Sequence, residues 1–376
     1  MSTFEPSSSW PRRRLVGAIG GVLGLAAAGT AIGLLRQQRQ VSRRAGEDVP
    51  LGSLRSTPLT VVADDGVPLH VEIDEVDPAY TTSAGKSGDR RLWSRADEAG
   101  PVTVIFVHGY CLTLDCWHFQ RAAYRGLVRT VFYDQRSHGR SGRSARENAT
   151  VDQLGRDLAH VIEVCAPDGP VVLVGHSMGG MTIVALAEQH PELIGEKVIG
   201  VGLISTTAGG LDTSRILIPL LPARLTGRVT GQAVAALQRG HVAVDTARRI
   251  GRVIANVATS RLAFGGEVPS SYVRFVDDML GATPFEVVAD FFPSLSSLDK
   301  FDHVEVLSRV PVSVICGTSD RITSVGHSRK LASRISGSSL LECEGAGHMA
   351  IIERHDQVSA ELDQLITAAT TRADTR

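Results

Sequence analysis

The chain has 376 residues and a formal net charge of −1, with 43% hydrophobic, 21% charged and 5% aromatic residues. That length suits one large α/β domain with additions, or two domains. A balanced charge offers no handle for a polyanion and so few aromatics offer little stacking surface, which excludes nucleic acid as an expected partner.

In chain order, residues 1–14 read as an N-terminal tail. Leu15 to Leu35 carries no charge and is built from Leu, Val, Ile, Ala, Gly and one Thr. As a helix it would span roughly 31 Å at about 1.5 Å per residue, close to a hydrocarbon core, which predicts a single-pass membrane anchor. Arg12, Arg13 and Arg14 flank one end; Arg36, Arg39, Arg43 and Arg44 flank the other, so charge does not settle the orientation. An export signal is the alternative, given the small residues at Ala26–Ala31 and the paired arginines, although basic residues after the segment resist translocation. Residues 36–57 are polar and read as a linker.

Leu59 to Ala63 and Leu69 to Asp74, joined across Asp65-Gly66, predict a β-hairpin. Asp77 to Gly100 is rich in Ser, Gly and charge and reads as an exposed insertion. From Val102 onward, apolar runs alternate with amphipathic stretches, the pattern of a parallel sheet covered by helices. The runs are Val102–Val107, Thr130–Tyr133, Val171–Val174, Val198–Ile204, Val312–Cys316 and Ser338–Cys343. The helices are Cys116–Arg125, Val151–Cys165, Met181–His190, Ser324–Ile335 and a final one from Ile351 to about Ala369. Residues 208–300 break the alternation, read as several helices, and predict a lid over the strand ends, where open α/β sheets bind ligands. The core is then 58–207 together with 301–376. Five cysteines, Cys111, Cys116, Cys165, Cys316 and Cys343, make no metal spacing and leave at least one thiol unpaired. Neither metal nor organic cofactor is expected.

Val171-Val-Leu-Val174 followed by Gly175-His-Ser-Met-Gly179 and an apolar helix is the strand, sharp turn and helix that a nucleophile elbow requires. The turn exposes the Ser177 hydroxyl, and Gly175 and Gly179 let strand and helix approach. A serine hydroxyl needs a base, and the base an orienting acid. Asp320 follows the strand Val312–Cys316, and His348 lies in a Gly-rich loop after the strand ending at Cys343. Parallel strands carry both loops to the edge that holds the elbow. The order Ser177, Asp320, His348 predicts a catalytic triad, with the Tyr110 and Met178 N–H groups as oxyanion donors. His108 is expected to orient its loop, and Asp134 and Arg136 to be structural.

His108-Gly109, Asp134-Gln-Arg-Ser-His-Gly-Arg-Ser141, Gly175-His-Ser-Met-Gly-Gly180, Gly317-Thr-Ser-Asp320 and Gly345-Ala-Gly-His348 together resemble the α/β-hydrolase superfamily, in its lid-bearing serine esterase and lipase branch. The resemblance covers about residues 58–370. It implies eight strands, Ser177 as nucleophile, His348 as base and Asp320 as orienter. Ser137 departs from the pattern, which usually has glycine there. Epoxide hydrolases and haloalkane dehalogenases of this fold use an aspartate at the elbow, whereas this chain has Ser177.

Leu211 to Leu262 holds eight arginines against Asp212 and Asp245. Next to the apolar stretch Ile216–Leu221, this pattern suits either solvated helix faces or contact with an anionic membrane surface. The sequence thus predicts a membrane-anchored hydrolase of carboxylic esters, with a lipophilic ester as its small-molecule substrate. A cofactor-free haloperoxidase or perhydrolase, an amidase or peptidase, and a non-catalytic binding protein of the same fold are the alternatives.

Overall fold

The Asp-Gly pair forms the turn its composition dictates. Strands β1 (Pro58–Val62) and β2 (Pro68–Asp74) pair antiparallel, with Gly66 at φ 83° and the Ala63 N–H donating to Val67 O at 2.9 Å. A computed structural model describes residues 50–78, 102–211 and 262–374. The predicted anchor, most of the predicted linker, most of the Ser- and Gly-rich stretch and the arginine-rich part of the predicted lid lie outside the described residues. Among the described residues, no helix is long and apolar enough to cross a membrane.

Six further strands complete one sheet: β3 (Thr103–Val107), β4 (Arg129–Tyr133), β5 (Val171–His176), β6 (Val198–Ile204), β7 (Val312–Gly317) and β8 (Ser339–Cys343). Their order is β1-β2-β4-β3-β5-β6-β7-β8. β1 and β2 are antiparallel, and β3 to β8 run parallel. This is the α/β-hydrolase fold with an eight-stranded, mostly parallel sheet. From β3 the chain steps outward to β4, then returns to β5 on the other side of β3. The C-terminal ends of β3 and β5 therefore flank the crevice in which such sheets bind ligands.

The helices are α1 (His118–Tyr124), α2 (Val151–Cys165), α3 (Met178–Gln189), α4 (Ser270–Ala282), α5 (Phe285–Ser296), α6 (Val325–Arg334), α7 (Ala350–Glu353) and α8 (His355–Asp374). α2 starts where Thr150 Oγ1 accepts from the Gln153 N–H at 3.1 Å, a side-chain cap readable in advance. The central strands β3, β5, β6 and β7 are buried on both faces, so alternate residues feed two cores. Ile105, Leu173 and Val201 pack beneath α2 and α3, while Phe106, Val174 and Ile204 pack toward α1 and α8. Three element readings need correction. α3 begins at Met178 rather than Met181, because the turn occupies a single residue. The C-terminal helix is interrupted at Arg354. Phe301–Arg309, read as core without an element, forms 3₁₀ turns.

Two buried ion clusters fasten the hairpin. The Arg121 guanidinium donates to Asp74 and, at 2.8 Å, to Glu72, and Ser56 also donates to both carboxylates. Arg136, fully buried, spans Asp157 at 2.6 and 2.7 Å and Asp65 at 2.7 and 3.0 Å. Removing one partner would strand a buried charge, at a cost of about 3–5 kcal/mol. Asp134 accepts from the Leu114 N–H at 2.7 Å and the Arg140 N–H at 2.9 Å, holding the loops after β3 and β4 together. Ser137 has φ 66°, the left-handed region that favours glycine, and its hydroxyl accepts from the Ser144 N–H at 2.9 Å. The 208–300 segment leaves and re-enters the core at one place: Gly209 pairs antiparallel with Asp299, and the Lys300 N–H donates to Ala208 O at 2.7 Å.

All five cysteines are buried and free, so Cys111 and Cys116 do not pair. Burial pushes the Cys111 thiol up to about 12 and those of Cys165 and Cys343 up to about 11. Native protein at pH 8 is therefore expected to be inert to Ellman's reagent, and all five thiols to react in guanidinium. Rapid titration of even one thiol in the native state would contradict this packing.

Candidate active site

Between β5 and α3 one residue turns the chain. Ser177 sits at φ 53° and ψ −118°, a conformation an L residue holds only under constraint. Its N–H donates to Ile204 O at 2.9 Å, and its carbonyl accepts from the Gly180 N–H at 3.0 Å and Thr206 Oγ1 at 2.6 Å. Neither flanking glycine could carry a side chain. A Cβ on Gly175 would lie 2.5 Å from the Gly179 carbonyl, and one on Gly179 would lie 2.1 Å from Val107 O. Met178, the first residue of α3, presents an N–H that the helix itself cannot satisfy.

The loops after β7 and β8 meet this turn. The Ser177 hydroxyl lies 3.0 Å from His348 Nε2, and His348 Nδ1–H donates to Asp320 Oδ2 at 2.9 Å. These partners select the Nδ1–H tautomer, leaving Nε2 as an acceptor for the hydroxyl proton. Burial raises the Asp320 pKa, but the electrostatic pull of the adjoining His348, its hydrogen bond, the Ile322 N–H and the Thr323 hydroxyl outweigh it, holding the carboxyl below its ordinary value. Asp320 Oδ1 accepts from the Ile322 N–H at 2.8 Å and the Thr323 N–H at 3.0 Å, and Oδ2 from Thr323 Oγ1 at 2.9 Å. The carboxylate is fixed at both oxygens.

The loop after β3 borders the serine. A Cβ on Gly109 would stand 3.1 Å from Ser177 Cβ and 2.8 Å from His176 Nδ1, so only glycine admits this approach. The Gly109–Tyr110 peptide therefore runs beside the hydroxyl. Among the described residues, neither the Tyr110 nor the Met178 N–H has an acceptor. The arrangement brings together a hydroxyl, an acceptor imidazole, a fixed carboxylate and two unspent N–H donors, as acyl transfer requires. Among the described residues no cluster of His, Cys, Asp and Glu is placed to hold a metal ion.

Several supporting residues escaped sequence reasoning. His176 Nε2–H donates to the His348 carbonyl at 3.0 Å, linking the residue before the serine to the imidazole's own backbone. Glu353 Oε2 accepts from the Gly347 N–H at 2.8 Å and the Gly265 N–H at 3.1 Å, and the Met349 N–H donates to Ala263 O at 2.8 Å. Residues 263–265 thus brace the imidazole loop. Thr323 alone carried a signal, a hydroxyl three residues after a loop carboxylate. His108 orients its loop as expected: Nδ1–H donates to Gly109 O at 2.8 Å, and Nε2 accepts from the Gln135 N–H at 2.9 Å.

The family model for the alpha/beta hydrolase family matches residues 104–361. An uncharacterized protein of Mycobacterium tuberculosis is 25% identical over 73% of this chain and 77% of its own length. A monoacylglycerol lipase of Mycolicibacterium smegmatis is 22% identical over 62% of this chain and 75% of its own. Among solved structures, an esterase from Exiguobacterium antarcticum superposes with a TM-score of 0.61 at 16% identity, covering 82% of this chain and 99% of that one.

Three imidazoles around the site are held neutral. Burial pushes His108 down to about 4; burial and the neighbouring His108 push His138 to about 3; burial and the neighbouring His348 push His176 to about 3. Unfolded, each would titrate near 6.5, so between 6.5 and about 4 the unfolded chain binds protons that the folded chain refuses. Stability is therefore fully present above pH 6.5 and falls with pH, by about 1 kcal/mol per histidine per pH unit. Urea midpoints measured from pH 8 to pH 4 should drop steeply below 6.5. A flat profile through that window would mean these imidazoles are not held neutral.

Proposed function

This chain belongs to the alpha/beta hydrolase family, and we propose that within it the chain cleaves carboxylic esters through Ser177. The observation that carries the reading is the unbroken Ser177–His348–Asp320 hydrogen-bond chain, at 3.0 and 2.9 Å, beside a strained turn. In this mechanism Ser177 Oγ attacks the ester carbonyl as His348 Nε2 takes its proton. Asp320, ionised and fixed, stabilises the resulting imidazolium. The oxyanion develops against the Tyr110 and Met178 N–H groups. Collapse expels the alcohol, protonated by His348, and leaves an acyl-serine. Water, deprotonated by the same imidazole, then releases the acid.

A lipophilic acyl group is the substrate class we favour. Two features support it: the similarity to a protein named monoacylglycerol lipase and the uncharged Leu15–Leu35 segment, which would hold the enzyme at a bilayer.

A panel of p-nitrophenyl esters from acetate to decanoate tests both parts. Wild type should hydrolyse them with kcat/KM rising along the series, and a fluorophosphonate probe should label it. Ser177→Ala should lose labelling and turnover together, and Asp320→Asn should lose about 10³-fold or more in kcat. Equal turnover by wild type and Ser177→Ala would falsify the assignment of the nucleophile, and a flat chain-length profile would remove the lipophilic preference. For the anchor, full-length protein should pellet with membranes and resist alkaline carbonate, whereas a chain lacking residues 1–49 should stay in the supernatant. Full-length protein found in the supernatant would overturn it.

A further inference from the structure

The loop that carries Tyr110 does not hold its own shape. Cys111, the next residue, has φ 59°, a left-handed conformation that a side chain with a Cβ adopts at a cost. Such strain persists only where neighbours over-determine it. The neighbours are two helices of the 208–300 segment. The Tyr110 hydroxyl donates to the Val288 carbonyl of α5. Thr283 Oγ1, in the turn between α4 and α5, lies 3.2 Å from Cys111 O and 3.5 Å from Met279 O, so its single proton goes to the nearer, Cys111. Apolar packing reinforces the pair: Met178 shares a buried cluster with Val287, Phe291 and Leu295 of α5, and the Tyr110 ring packs against it. Both residues assigned to the oxyanion site thus lean on one helix.

We propose that the Tyr110 phenol is a positioning residue, a strut through which α5 sets the geometry of the oxyanion site. The inference rests on the serine-hydrolase reading above. The two roles of Tyr110 are separate: its N–H faces the reaction, and its hydroxyl fixes where that N–H points. Burial raises the phenol pKa well above its ordinary value, so the hydroxyl remains a donor throughout the working range. An oxyanion donor contributes only when aimed at the position the oxygen reaches in the transition state. Loss of the strut therefore weakens the transition state and leaves ground-state binding intact. Movement of α5 would switch the same donor, so displacement of this helix and acyl-transfer competence become one variable.

Tyr110→Phe keeps the ring in its cluster and removes one oxygen; Thr283→Val removes the second tie. The readouts are kcat and KM on a p-nitrophenyl ester, the thermal midpoint, and the inhibition constant of an alkyl trifluoromethyl ketone, whose serine adduct places an anionic oxygen in the site. Tyr110→Phe is expected to lower kcat about tenfold and weaken the ketone about tenfold, with KM within about twofold. Thr283→Val should act in the same direction, and the double variant should lose more than either. A merely structural role would lower the thermal midpoint and leave the ratio of ketone to substrate affinity unchanged, which overturns the proposal. Unchanged kcat and ketone affinity in Tyr110→Phe also overturn it, with the hydrolase reading intact. A wild type that neither turns over esters nor takes the fluorophosphonate label brings down that reading and this one together.

Discussion

The close approach of β5 to α3 is the constraint on which the rest of the molecule depends. With the Gly179 α-carbon set against Val107 O and Gly175 against the Gly179 carbonyl, there is no room for any other residue at either position. The chain must then reverse within one residue, and Ser177 takes the strained conformation that results. That conformation costs on the order of 1–3 kcal/mol, and the surrounding packing must supply it. It does so locally: the serine's N–H and carbonyl are both bonded to β6, a fully buried strand, and to the residues that follow it.

Strain is not confined to the elbow. Among the described residues, the non-glycine positions with positive φ are Cys111, Ser137, Ser177 and Ser205. They follow β3, β4, β5 and β6 in turn, all along the C-terminal edge of the sheet. The buried neutral imidazoles of His108, His138 and His176 occupy the same region. Among the described residues, no non-glycine residue with positive φ lies at the opposite edge, where strands begin. The strained turns and the buried neutral imidazoles thus share the rim that carries the site, as expected where site geometry shapes a region.

Much of this is legible in the amino-acid sequence. Apolar runs four to seven residues long gave the parallel strands, because strands buried on both faces cannot alternate. Ser177, Asp320 and His348 are conspicuous because each lies in the turn or loop that follows such a run, and strand direction alone carries those loops to a common edge. What escaped depends on contacts that no periodicity encodes. Glu353 matters through a carboxylate turned back onto Gly347 and Gly265. His176 matters through a bond to a carbonyl 172 positions away. Ser137 stood out only as a missing glycine, and its φ of 66° supplies the reason glycine suits that position. The apolar pattern starts α3 three residues late, because such a pattern registers packing and is blind to a turn compressed into one residue.

The clasp at Ala208 and Lys300 has a consequence for how such a chain diversifies. Because departure and return lie side by side, the length and sequence between them are topologically independent of the sheet. A longer excursion adds only the slowly growing entropy of a larger closed loop. Residues 263–265 limit that freedom, because they press on the Gly345–His348 turn so closely that a Cβ on Gly265 would overlap Gly345 O. The outer part of the excursion can thus vary without disturbing the sheet, while the segment returning through residues 263–265 stays tied to the imidazole loop it braces, and α5 to the loop that carries Tyr110.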